Sequence, residues 1–375
     1  MNRRHFLPLL AAPWVCRAAT EPGFTPLFNG TNLDGWTVQG GPPTAFFVDH
    51  GDVVIHRGSN DPTWLRSLRE YENFDLRGEF FVKGWSDSGL LLHAPLHGNP
   101  MQTGMRVQIF QAKDTPPNSQ SVGAIFPLVA PKLINVRGQG EWNGFRILSD
   151  WPKLQVWING ELVQDLDISA HPELKYRLRR GYLGLVNLSY PVRFRNFRIR
   201  ELPSSDHWDV LYGQPSDYEK NWFLSEGKPQ LDILNEVLYM DGAGHIATKE
   251  KFRNFELQAY VRGSRDHNGG VLFRSEGRGT HGIRYEIQLH PVEGAHYPTG
   301  SLYGIQRARY PHIRNGKWFH LYLRVEGPRC LVRINGETVC EYDRLDRLDE
   351  GYIELQAHRT GYWLEYKRVL IKRLK

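Results

Sequence analysis

Cysteine is scarce in this chain, with three in 375 residues, and methionine nearly so, with four. Cys16 falls in the N-terminal segment, which leaves only Cys330 and Cys340 in the body of the protein. No helical periodicity runs for any length, which argues against a helix bundle. Beyond the N-terminus no apolar run is long enough to span a bilayer. Basic residues form no stripe beyond Lys175-Tyr176-Arg177-Leu178-Arg179-Arg180, so nucleic acid is not the expected partner.

What the chain does have is aromatic residues, at 12% with 11 Trp, and turn formers, with 37 Gly and 23 Pro. Such a composition suits many short strands joined by turns. It also suits a carbohydrate ligand, because sugars present apolar C–H faces that stack on aromatic rings. The length favours two domains.

Residues 1–20 read as an export signal of the twin-arginine type: Arg3-Arg4 followed by Phe6-Leu7, a short apolar stretch to Val15, then Ala18 and Ala19. Val15 is not the small residue expected before a lipidated cysteine, which disfavours Cys16 as a lipid anchor. Removal of the segment takes away Arg3, Arg4 and Arg17 and lowers the formal charge from +6 to +3. The expectation is a periplasmic or extracellular protein with no integral membrane segment after processing.

The chain repeats itself. Tyr71-Glu72-Asn73-Phe74-Asp75-Leu76 matches Phe252-Arg253-Asn254-Phe255-Glu256-Leu257, and Asp87 to His93 matches Asn268 to Arg274, both at an offset of 181. Trp157-Ile158-Asn159-Gly160 matches Arg333-Ile334-Asn335-Gly336, and Gly181-Tyr182-Leu183 matches Gly351-Tyr352-Ile353. Constant order with a slowly drifting offset indicates two copies of one domain. The predicted boundaries are 21–202 and 207–375, joined by a linker at 203–206. Phe319, Leu321, Leu323 and Val325 alternate with polar neighbours, as do Leu257, Ala259 and Val261, which predicts half-buried strands. Each copy is therefore expected to be an all-β sandwich or jelly roll. The Asn335-Gly336 turn predicts a hairpin. In a regular two-residue register it would pair Leu331 with Cys340 and set Cys330 and Cys340 on opposite faces, opposing a disulfide; a bulge would reverse this.

The stretch Leu27-Phe28-Asn29-Gly30-Thr31-Asn32-Leu33-Asp34-Gly35-Trp36 resembles the opening signature of the 3-keto-disaccharide hydrolase family. The strand from Tyr71, Glu141-Trp142-Asn143, Trp157-Ile158-Asn159-Gly160, Tyr285-Glu286-Ile287-Gln288 and Thr299-Gly300-Ser301-Leu302-Tyr303 add to the likeness. It extends over 25–202 and, less closely, 207–375. The resemblance implies a concanavalin-like jelly roll in each copy. It also implies cleavage of glycosides oxidised to a ketone at C3, by 1,2-elimination and hydration of the resulting 3-keto-2-hydroxyglucal.

That chemistry needs a base for the C2 proton, a partner for the oxyanion at C3 and an acid for the leaving group. In the second copy Arg284, Glu286, Gln288 and His290 share one strand face. Glu286 is the expected base, Arg274 or a divalent metal the oxyanion stabiliser, and His290 or His296 the acid. Asn268, Arg284, Gln288 and Tyr303 are the expected substrate contacts. His290, Glu293 and His296 form only a weak metal-ligand pattern. In the first copy Arg106 stands for Glu286 and His93 for Arg274, although Gln108 still matches Gln288. An arginine cannot act as the base, so this copy is expected to be altered or structural. The alternatives are a lectin-like glycan binder and a structural adhesion module.

Overall fold

The computed structural model describes residues 21–56, 63–110, 115–311 and 313–375, so the predicted export signal lies outside the described residues. The strands form four antiparallel sheets in two pairs. The first pair draws on strands between Thr25 and Glu201, the second on strands between Asp209 and Arg373. Each pair closes over its own core. The alternation explains why: Phe319, Leu321, Leu323 and Val325 all enter the second core, together with Leu257, Ala259 and Val261. The intervening Gln258, Tyr260, His320, Tyr322 and Arg324 face the other way, as a strand with period two requires. The all-β, jelly-roll-type fold is as expected.

Two sheets matter for function. In the second half the order is Trp222–Gly227, Gly244–Thr248, Tyr352–Ala357, Gly269–Ser275, Tyr285–Leu289. In the first half it is Trp36–Gln39, Thr63–Tyr71, Gly181–Asn187, Asp87–Ala94, Met105–Phe110, Ile125–Phe126. Each has one face on its core, and the opposite face carries the polar side chains described below.

The duplication extends to the irregularities. The hairpin of the first half is bulged between Val156 and Trp157, and that of the second between Val332 and Arg333. The second bulge corrects the predicted cysteine geometry. Ile334 pairs with Glu337 as expected, but Val332 then pairs with Cys340 and Cys330 with Tyr342. Both thiols consequently enter the core, on one face rather than two, and both are free. Burial pushes the Cys330 thiol up to about 12, which makes it a poor nucleophile.

Polar contacts join the halves. The Tyr260 hydroxyl accepts from the Leu96 amide at 2.8 Å, and the His97 ring stacks on Trp318. The fully buried Arg333 reaches Glu173 at 3.1 Å, and Arg368 binds Glu70 and the Tyr182 hydroxyl. A separate cleft of about 950 Å³ between them is walled by Trp151, Tyr176, Trp208 and Tyr322. Its charges mostly neutralise one another, Arg324 with Glu256 and Glu326, and Arg179 and Lys372 with Asp206. That pattern is an interface seam more than a reaction site.

Candidate functional site

On the five-stranded sheet of the second half, the face away from the core carries His245, Ala247, Glu354, Gln356, Gly270, Leu272, Glu286 and Gln288. Their neighbours Ile246, Ile353, Leu355, Val271, Tyr285, Ile287 and Leu289 fill the core. Burying ionisable groups on a sheet is costly unless each is paired, yet Glu354 is 0% exposed, His245 3% and Glu286 7%. This is a recessed polar floor, quite unlike a solvated outer face.

Glu354 is its centre. It accepts from Ser225 Oγ at 2.9 Å and from Ser275 Oγ, and lies 3.5 Å from His245 Nδ1. Burial works against its charge, but the bonds from His245, Ser275 and Ser225 outweigh that cost and hold its carboxyl below the ordinary value. The other imidazole nitrogen, Nε2, is 3.2 Å from Gln356 Nε2 and 3.8 Å from Glu226. Glu226 in turn holds the Thr280 amide and hydroxyl and sits 3.1 Å from His281, tying the segment 279–281 to the edge of the floor.

Glu286 has the opposite electrostatics. Burial raises its pKa, and Arg284 and His245 only partly offset this. Arg284 Nε is 4.0 Å from Glu286 Oε2. Leu272 pairs with Glu286 on one side and with Glu354 on the other. The two carboxylates are thus two strand spacings apart at the backbone, about 10 Å. The Glu286 side chain leans inward across Gly270, where a methyl group would come within 2.7 Å of it. Two carboxyls whose surroundings push their ionisation apart, on one sheet face with His245 beside Glu354, are suited to a division between proton acceptor and fixed anion.

Of the residues expected from sequence, Glu286, Gln288, Arg284 and Asn268 come together; Gln288 donates to Asn268 at 2.7 Å. Arg274 does not join them, and its expected role is corrected. The strand bulges between Leu272 and Ser275, Arg274 takes a positive φ of 44°, and Ser275 occupies the place on the polar face. Arg274 is 1% exposed and donates to the carbonyls of Gly327 and Arg253. It fastens turns together and cannot reach the Glu286 carboxylate from there. His93 does the same in the first copy, at φ 51° with its ring on the Glu72 carbonyl. His290 bonds the His267 carbonyl through Nδ1, at the end of the Glu286 strand. Beyond the edge strand His296 meets Tyr297 edge-on and Tyr303 meets it at a tilt; the Tyr303 amide donates to the Glu286 carbonyl at 2.9 Å, while its side chain is exposed. No cluster of three or more His, Cys, Asp or Glu placed for a metal occurs among the described residues.

Sequence reasoning missed Glu354, His245, Glu226 and Ser275. Strand registers show why the first copy gives no clue to them. Gly184 occupies the position of Glu354, Val186 that of Gln356, Trp64 that of His245 and Gln39 that of Glu226. Arg106 stands for Glu286 and is paired with Asp87.

Comparison with known proteins gives the family. The model of the 3-keto-alpha-glucoside-1,2-lyase-like domain matches residues 23–200 and again 205–372. The chain belongs to that family, twice over. Membership makes it a carbohydrate-active protein. Among solved structures, a candidate glycosyl hydrolase from Parabacteroides distasonis is 22% identical over 48% of this chain and 94% of its own, with a TM-score of 0.42. A carbohydrate-binding module from Bacillus subtilis is 16% identical over 40% and 95%, with a TM-score of 0.30. A β-glucanase from Bacillus licheniformis is 7% identical over 46% and 100%, with a TM-score of 0.34. No curated protein matches the sequence. No helix among the described residues is long and apolar enough to cross a membrane.

Proposed function

We propose that the second copy cleaves 3-keto-glycosides outside the cytoplasm, by 1,2-elimination followed by hydration. The observation that carries this reading is the pair of buried carboxyls on one sheet face with opposite pKa shifts, Glu286 raised and Glu354 lowered, with His245 beside Glu354. Glu286 removes the proton from C2, and the electrons pass to the C3 oxygen as an enolate. Arg284, beside Glu286, supplies the positive charge that Arg274 cannot. The enolate then re-forms the C3 ketone as the C1–C2 double bond forms and the C1–oxygen bond breaks. His245, oriented by Glu354, gives a proton to the departing oxygen. In the second step His245 takes a proton from water as the water oxygen bonds to C1, and Glu286 returns its proton to C2, which restores both groups. Burial raises the Glu286 pKa, which makes it the stronger proton acceptor of the two carboxylates.

The test is release of nitrophenol from p-nitrophenyl 3-keto-β-glucoside by the purified protein, with and without chelator, compared with the unoxidised glucoside. Turnover of the keto-glycoside alone, lost in Glu354→Gln, supports the reading. Equal cleavage of both glycosides, or of neither, overturns it.

A further inference from the structure

The face of the first copy that corresponds to this floor has been rewritten, and its new composition has a use of its own. Where the second copy has His245 and Glu354, the first has Trp64 and Gly184. The benzene edge of Trp64 lies directly over Gly184, within 2.6 Å of where a Cβ would stand, so the missing side chain is what makes room for the indole. Trp64 packs with Leu91, Tyr182 and Val186 in a small apolar cluster outside the main core. Across the sheet, Asp87 accepts from Arg106 and from Gln108 at 3.0 Å, both at Oδ1. Arg106 is 3% exposed and lies beneath, while the Asp87 side chain is 30% exposed. Beside Asp87, Phe110 shares the face of Arg106 and Gln108 by alternation, and Trp85 stands edge-on to it, 58% exposed. From Trp64 to Gln108 is three strand spacings, about 14 Å.

We infer that this face is a non-catalytic binding site for a neutral glycan chain, presenting the substrate whose oxidised unit the second copy cleaves. The chemistry selects the ligand. Two tryptophans at the two ends, Trp64 half-buried and Trp85 exposed, supply indole surface for the apolar sides of sugar rings. The half-buried Asp87 carboxylate, fixed at Oδ1 by Arg106 and Gln108, supplies an acceptor for hydroxyl groups. The Asp87–Arg106 pair is neutral overall, so it favours neither anionic nor cationic sugars. Gly184, Trp64 and Arg106 stand where the second copy has Glu354, His245 and Glu286, which leaves binding rather than that chemistry.

The inference rests on the carbohydrate reading, but its test uses unoxidised oligosaccharides and so does not need the lyase activity. Full-length protein is titrated calorimetrically with maltohexaose, cellohexaose and laminarihexaose. At least one binds, Trp85→Ala and Trp64→Ala each weaken it about fivefold or more, and Glu354→Gln leaves it unchanged. Trp85 is exposed, so its variant folds normally even should Trp64→Ala not. Failure of all three hexasaccharides to bind, or undiminished binding by Trp85→Ala, overturns the inference. Binding without turnover of 3-keto-glycosides overturns the lyase assignment alone.

Discussion

Gly270→Ala adds one methyl group to the floor of the second copy and should silence it without unfolding it. The new Cβ would stand 2.7 Å from both Cγ and Oε1 of Glu286. Carbon atoms in contact prefer about 3.5–4.0 Å, so the Glu286 carboxylate must move by about 1 Å. A displacement of about 1 Å at a reacting group costs on the order of 10²-fold in rate. Stability changes far less. The methyl removes glycine's excess backbone entropy, about 0.5–1 kcal/mol, against an overpacking cost of about 1–3 kcal/mol. The net loss should lie below about 2.5 kcal/mol, a fall in Tm of less than about 10 °C. The control is Gly89→Ala, the same insult in the first copy, where the methyl would meet Arg106 at 2.6 Å. Measuring kcat on p-nitrophenyl 3-keto-β-glucoside beside thermal melts, the reasoning requires kcat to collapse in Gly270→Ala and hold in Gly89→Ala. Full kcat in Gly270→Ala, or equal losses in both, refutes it.

The two carboxyls should also respond oppositely to pH and to neutralisation. Glu286, with its pKa raised by burial, contributes stability below the ordinary carboxyl range and loses it as pH rises through its folded value, so Glu286→Gln should raise Tm at pH 7 relative to pH 4. Glu354 has its pKa lowered, contributes above the ordinary range and loses it as pH falls, so Glu354→Gln should cost about 2 kcal/mol at pH 7; parallel melts of both variants at the two pH values decide this. Arg274→Met should lower stability by about 2–4 kcal/mol through two orphaned carbonyls, with kcat per folded molecule unchanged; a selective loss of kcat would restore it to the site. Replacing Arg3 and Arg4 by Lys should leave precursor in the cytoplasm of an expressing bacterium, whereas unchanged export through the twin-arginine route would contradict the signal assignment.

The sandwich was legible because its strands obey period two: Phe319 to Val325 and Phe255 to Val261 enter the core where alternation puts them. Glu286, Gln288 and Arg284 were legible for the same reason, lying on one regular strand. Alternation failed wherever a bulge inserted a residue. One bulge took Arg274 off the polar face and put Ser275 there, and another turned Cys340 into the core. Glu354 and His245 escaped for a different cause. They came into view as partners only through pairing of Gly244–Thr248 with Tyr352–Ala357, more than a hundred residues apart. The repeat could not flag them, because the first copy has Gly184 and Trp64 there. The alternation of Glu354 and Gln356 with Ile353 and Leu355 was nonetheless the same signal that singled out Glu286.

The most direct measurement is a comparison of Glu286→Gln with Arg106→Ala on p-nitrophenyl 3-keto-β-glucoside, each checked by a thermal melt. These residues hold equivalent places in the two copies. Glutamine keeps the volume but cannot accept the C2 proton, and loss of a general base costs about 10²–10⁴-fold. The account predicts that loss in kcat for Glu286→Gln, and a kcat within about threefold of wild type for Arg106→Ala, since removing a residue outside the reacting site costs little beyond stability. Full turnover by Glu286→Gln, or a loss confined to Arg106→Ala, would contradict it.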